Sequence, residues 1–168
     1  MNLQHAQLIA AMIDYDQGDP VRIQHFMKVH NFAAAIGTLE GIDAETQFVL
    51  ETAAIVHDIG IHMAEKKYGS SNGKFQEKEG PAEAQKLLNE IGGYTPEQIN
   101  RVMFLIGHHH TYNHITGIDY QILVEADFLV NILEDQLGIS AAESIKEKIF
   151  KTKTGIRFLE KQFEAKRK

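Results

Sequence analysis

His57 and Asp58 stand side by side at the end of an apolar run, Ala53-Ala54-Ile55-Val56-His57-Asp58-Ile59-Gly60. Two further polar residues fall on faces that otherwise read as core. His25 shares a helical stripe with Val29, Phe32 and Ile36, at spacings of four, seven and eleven residues. Asp127 lies within Ile122–Leu133, ILVEADFLVNIL, a helix apolar on nearly every side and therefore central in any bundle. Taken singly, each has an ordinary structural reading: a hydrogen-bonded core histidine at 25, a turn cap at 58, a lysine or arginine partner for Asp127. Taken together, two imidazoles and two carboxylates on core faces satisfy one another if a divalent cation sits between them. Nitrogen plus carboxylate oxygen suits Mn, Fe, Co, Ni, Zn or Mg. Adjacency of His57 and Asp58 fits that reading, because a helix end can aim two consecutive side chains at one ion.

The elements that must position these residues read as helices. Asp19-Pro20 is a cap followed by proline at the first helical position, and that helix runs to about Glu40, ended by Gly41. Asp43 caps the next, which carries Phe48, Leu50 and Ala53 toward His57. Gly92-Gly93 closes one helix, and Thr95-Pro96 opens another that leads to the histidine run. A first helix covers roughly Leu3 to Tyr15, Ser140-Ala141-Ala142-Glu143 has the capping-box pattern, and a last helix begins near Thr154. The polar, glycine-containing stretch Lys66–Lys78 reads as a long loop. No pair of alternating β-branched runs flanks a tight turn. The fold class is all-α: a helical bundle of about seven helices in one domain over residues 1–168. Its metal-site core spans about 20–135, and C-terminal helices span about 140–168.

Composition narrows the classes of function. No cysteine is present, which excludes thiolate ligands and agrees with a reducing cytoplasm. No apolar run reaches membrane-spanning length, and Met1–Asp16 lacks a basic leader, so neither a membrane span nor a signal peptide is expected. A net charge of −6 disfavours stable nucleic-acid binding but leaves room for a small phosphorylated substrate held by a local cation. The chain has nine histidines, four of them from His108 to His114.

The order of these motifs resembles the HD superfamily of metal-dependent phosphohydrolases. His25 in RIQHFMKVHNFA looks like the first motif, His57-Asp58 in AAIVHDIG the second and Asp127 in LVEADFLVNI the last, so the resemblance covers most of the chain. It implies the all-α fold and one metal held by His25, His57, Asp58 and Asp127. Many members of that superfamily hold a second metal through a histidine ahead of a later helix and through further histidines downstream. Here the helix start is Gln76-Glu77-Lys78-Glu79-Gly80-Pro81, with no histidine, and Glu77 or Glu79 is the candidate substitute. The downstream motif matches Gly107-His108-His109-His110, with His108 and His109 taken as the ligands. Ile61 stands where many members have a lysine, so a phosphate-contacting cation must come from Arg22, Lys28, Lys67, Lys74 or Lys78. No Gly-Tyr-Pro follows the histidine run, which argues against the cyclic-dinucleotide branch.

The implied activity is hydrolysis of a phosphate monoester or nucleotide, with one or two divalent ions as cofactor. The ion lowers the pKa of water, Asp58 orients that water, and His109, from the run 108–110, protonates the leaving oxygen. The Lys66–Lys78 segment would cover a small, nucleotide-like substrate. The alternative is a non-catalytic, metal-centred module that binds a nucleotide without turnover. A metal-free helical scaffold is the third reading. A homodimer is the base-rate expectation.

Overall fold

A computed structural model describes residues 1–163. The described residues form nine helices and no strand: α1 (Leu3–Tyr15), α2 (Pro20–Glu40), α3 (Ala44–Val56), α4 (Ile61–Tyr68), α5 (Gly73–Ile91), α6 (Pro96–Ile106), α7 (Ile118–Glu134), α8 (Ile139–Ile149) and α9 (Lys153–Phe163). The all-α class expected from the sequence holds. The proposed C-terminal helix ends among described residues at Phe163, and the rest of its span to 168 lies outside them. No described helix is long and apolar enough to cross a membrane.

Local chemistry accounts for most of the boundaries. Asp19 accepts from the Arg22 backbone N–H, Pro20 begins α2, and Gly41 closes it in the left-handed region at φ 70°. Thr95 and Gln98 form a reciprocal capping box at the start of α6. Two expectations need correction. Ser140 is not a cap: α8 starts one residue earlier, after Gly138. The long loop at Lys66–Lys78 shrinks to the link 69–72. Lys66 and Lys67 continue α4, Gly69 closes it at φ 63°, and Asn72 caps α5 by accepting from the Lys74 N–H. Gly69 ends one polar helix and Asn72 starts the next within four residues, where the polar, glycine-containing sequence had suggested a loop.

α7 runs through the middle of the bundle and packs on α2, α3, α6, α8 and α9. Ile122, Leu123, Val124, Ala126, Leu129, Val130 and Ile132 are all buried, which is why this helix is apolar on nearly every side. α2 lies between α3 and α7, with His25, Val29 and Ile36 buried, while Phe32 tilts against Phe158 of α9. Besides Asp127, α7 buries two carboxylates, Asp119, which pairs with Arg101, and Glu125. Glu125 accepts from Gln121, from the Lys151 and Thr152 N–H groups and from the Thr152 hydroxyl, and so ties the α8–α9 link to the central helix. Every one of its partners is a donor, which makes it a structural brace.

The turn 57–60 lies against α5. A Cβ built on Gly60 would stand 2.6 Å from the Gln76 carbonyl oxygen and 2.7 Å from the Gly80 nitrogen, both backbone atoms that cannot swing aside. Gly60→Ala is therefore expected to destabilise the chain by about 1–3 kcal/mol, as overpacking does. Thermal unfolding measures this, and an unchanged midpoint would show that the turn and α5 are not in contact.

Candidate metal centre

Four elements deliver the cluster. His25 comes from the middle of α2, His57 caps the C-terminus of α3, Asp58 follows it in a tight turn, and Asp127 comes from the middle of α7. His109 enters from the turn after α6. The turn is held by Ile59 N–H to the Val56 carbonyl and by Ile61 N–H to the Asp58 carbonyl, both 3.0 Å. This lets two consecutive side chains point the same way, as the adjacency in sequence suggested.

The three imidazoles are oriented from behind. His57 Nδ1–H donates to the Ala54 carbonyl at 2.9 Å, and His109 Nδ1–H donates to the Ile106 carbonyl at 2.7 Å. His25 Nδ1–H donates to Glu134 Oε2 at 2.8 Å. With each Nδ1 committed as a donor, each neutral ring presents an Nε2 lone pair to the interior. His25 Nε2 and His57 Nε2 then face each other at 3.1 Å. His25 Nε2 lies 3.2 Å from Asp127 Oδ1 and 3.5 Å from Asp58 Oδ2, and His57 Nε2 lies 3.6 and 3.5 Å from the same two oxygens. His109 Nε2 is buried, has no hydrogen-bond partner and lies 3.4 Å from Asp58 Oδ1.

Lone pairs facing lone pairs and carboxylates require a positive charge between them. In the cation-free chain a proton must serve. Burial alone would push the His25 pKa down, but Asp127, Asp58 and Glu134 raise it to about 9. Burial alone would raise both aspartates, but the imidazoles hold Asp58 and Asp127 below the usual carboxylate range. The spacings also leave room for an ion in place of that proton. Charge-assisted hydrogen bonds run at about 2.7–2.9 Å, as His25–Glu134 does. Ligand atoms placed about 2.1 Å from one ion lie about 3.0–3.4 Å apart, close to the separations found here. The donor set also fits: imidazole nitrogen and carboxylate oxygen, with each ring held by an outer hydrogen bond.

Asp58 belongs to two potential ligand groups, His25–His57–Asp58 and Asp58–His109–His110. The residues read from sequence therefore divide as follows. His25, His57, Asp58, Asp127 and His109 converge, and His108 does not. Residues 107–110 form turns rather than helix, so consecutive side chains diverge. The His108 ring is exposed, donates from Nδ1 to the Phe104 carbonyl and stacks on the Phe104 ring at 4.4 Å. His110 takes its place, with Nε2 3.2 Å from Gln76 Oε1, and burial first and then His109 lower its pKa to about 4.

Neither glutamate substitutes for the missing histidine. Glu77 accepts from the His110 N–H and the Thr111 hydroxyl, while Glu79 pairs with Lys67 and Tyr68. Gln76 is the residue of that segment that faces His110. Of the candidate phosphate contacts, Arg22 pairs with Asp19 and Glu65, Lys67 with Glu79, and Lys78 lies over the Tyr68 ring. Lys28 is the one joined to the cluster, through the Glu134 carboxylate that also holds His25. Lys28 and Glu134 also line a surface cleft of about 380 Å³.

Glu134 was not read from the sequence, although its position two helical turns after Asp127, on the same face of α7, is the signal that could have found it. Outer hydrogen bonds of this kind typically carry about a 10–100-fold effect on metal affinity. Glu134→Gln should weaken Mn²⁺ or Co²⁺ binding by that factor with unchanged helical circular dichroism. Calorimetric titration gives the number, and equal affinity would remove Glu134 from the site. Comparison with family models, with curated proteins and with solved structures returned no match in any of the three, so the geometry of these residues carries the functional reading.

Proposed function

We propose that this chain is a metal-dependent phosphohydrolase of the HD-superfamily kind, acting on a phosphate monoester or nucleotide. The observation that carries the reading is the convergence of His25, His57, Asp58 and Asp127: the Nε2 lone pairs of His25 and His57 face both carboxylates, and His109 Nε2 faces the other oxygen of Asp58. The superfamily resemblance in the order of these residues supports it. A divalent ion held there would supply Lewis acidity, easing loss of a proton from water and offsetting phosphoryl charge.

The chain's own groups do the rest. Asp58 has one oxygen toward His25 and His57 and the other toward His109, so it can orient a water between the two halves of the site. It is also the more exposed of the two aspartates. His25, His57 and Asp127 are buried ligands and give the centre its rigidity. His109 Nε2, free of hydrogen-bond partners and 3.4 Å from Asp58 Oδ1, can take up a proton beside that carboxylate and, as the imidazolium, hand it to the leaving oxygen; with a second ion held by Asp58 and His110 it would be a ligand instead. Lys28 at the rim is the cation nearest to hand for a phosphate, once it exchanges Glu134 for the substrate.

A second reading, a metal-centred nucleotide-binding module without turnover, draws on two observations. Arg22, Lys28 and Lys67 each pair with a carboxylate, and Gln76 occupies the face where a stronger ligand would complete the second subsite. Phosphate release from a panel of nucleotides and small phosphate esters, with Mn²⁺- or Co²⁺-loaded protein, separates the two. Hydrolysis should fall about a hundredfold or more in Asp58→Ala with the helical signal intact. Ligand-dependent thermal stabilisation without product would support the binding module, and normal turnover in Asp58→Ala would sink the hydrolase reading.

A further inference from the structure

Another cluster sits where α1, α2 and α3 meet, built from His5, His30 and Glu51. The sequence assigns His5 and His30 no role, yet both are buried, and Glu51 is half-buried beside them. His5 is held firmly: its ring stacks on Phe48 at 4.8 Å, and its Nε2 lies 3.1 Å from Thr52 Oγ1. The Thr52 hydroxyl donates its own hydrogen to the Phe48 carbonyl at 2.8 Å. Thr52 Oγ1 can therefore only accept from His5, which places the proton on His5 Nε2 and leaves the lone pair on Nδ1. The Asn2 amide nitrogen, a donor, lies 3.3 Å from that Nδ1, in keeping with an acceptor there.

That lone pair faces Glu51 Oε2 at 3.3 Å, and His30 Nε2 approaches the same oxygen at 3.1 Å. The other Glu51 oxygen is occupied by the Gln47 amide at 2.7 Å. Two imidazoles thus meet one carboxylate oxygen, and His30 Nδ1 is buried without a hydrogen-bond partner. The cluster's contacts are longer than charge-assisted hydrogen bonds and match the spacing of atoms that share one ion, about 3.0–3.4 Å.

We propose that His5 Nδ1, His30 Nε2 and Glu51 Oε2 form a second metal site, separate from the first, that takes a Zn²⁺-class transition ion and clamps α1 to α2 and α3. Two imidazoles and one carboxylate favour such an ion over Mg²⁺ or Ca²⁺, which prefer all-oxygen shells. Three protein ligands leave a fourth position for water. No ligand is shared with the His25–Asp127 centre, so the two sites fill and empty independently.

The test is metal content. The full chain is stripped with a chelator, reloaded with Zn²⁺ or Co²⁺, and its ions per chain counted by mass spectrometry alongside Glu51→Gln, His30→Gln and Asp127→Asn. Glu51→Gln and His30→Gln should each hold one ion fewer than the parent. In Asp127→Asn, Zn²⁺ at a hundredfold over its Kd should still raise the melting temperature by about 5–10 °C. Co²⁺ added to the unaltered protein should shift the ring resonances of His5 and His30, a readout that needs no variant to fold. Equal metal counts in the two cluster variants would overturn the site. So would imidazole resonances of His5 and His30 that stay in place when Co²⁺ is bound elsewhere.

Discussion

Everything about this chain turns on three imidazoles whose Nδ1–H groups are spent on outer acceptors and whose Nε2 atoms meet two aspartates. The outer bonds come from three different places: the Ala54 carbonyl at the end of α3, the Ile106 carbonyl at the end of α6, and Glu134 at the end of α7. Each fixes a tautomer and a ring plane, and together they force unshared electron pairs into one small volume. Such an arrangement is stable only around positive charge, because an unpaired buried charge costs several kcal/mol and breaking a buried pair costs about 3–5 kcal/mol. The bundle is built to impose that geometry. α7 is buried on nearly every side so that Asp127 cannot turn to water, and Gly60 lets the His57–Asp58 turn press against α5.

Asp58 is the exception within that rigid set. It is partly exposed, and its two oxygens serve two different groups of histidines. A residue so placed links a closed ligand set to an open one. The closed side, with His25, His57 and Asp127, has the character of a permanent holder. The open side has His109, His110 and Gln76, and in the proposed reading it is where a proton or a substrate oxygen would be exchanged. Lys28 extends the arrangement outward, since it shares Glu134 with His25 and so couples the rim electrostatically to the innermost ligand.

Much of this was legible in the sequence because burial and polarity conflict there openly. His25 on an apolar stripe, His57-Asp58 at the end of an apolar run and Asp127 inside an all-round apolar helix each break a pattern, and the structure brings the rings of His25 and His57 within 3.6 Å of both aspartates. What escaped the sequence did so for physical reasons. His108, His109 and His110 are consecutive in a turn, where no periodicity says which ring faces inward, and His108 is the one that leaves. Gln76 is neutral and sits among glutamates that looked like better ligands, but those glutamates are occupied by Lys67, Tyr68, Thr111 and the His110 N–H. The end of α4 and the start of α5 are polar and carry glycine, so they read as a loop, although Gly69 and Asn72 mark a helix end and a helix start there. Nothing in the spacing of His5 and His30 points to Glu51, because three separate helices bring them together.

The decisive measurement is anomalous diffraction from crystals grown with Mn²⁺. A strong anomalous peak is expected within about 2.1–2.2 Å of His25 Nε2, His57 Nε2 and one oxygen each of Asp127 and Asp58. Anomalous peaks confined to surface carboxylates, with the Nε2 atoms of His25 and His57 bridged to the aspartates by protons alone, would contradict the metal centre.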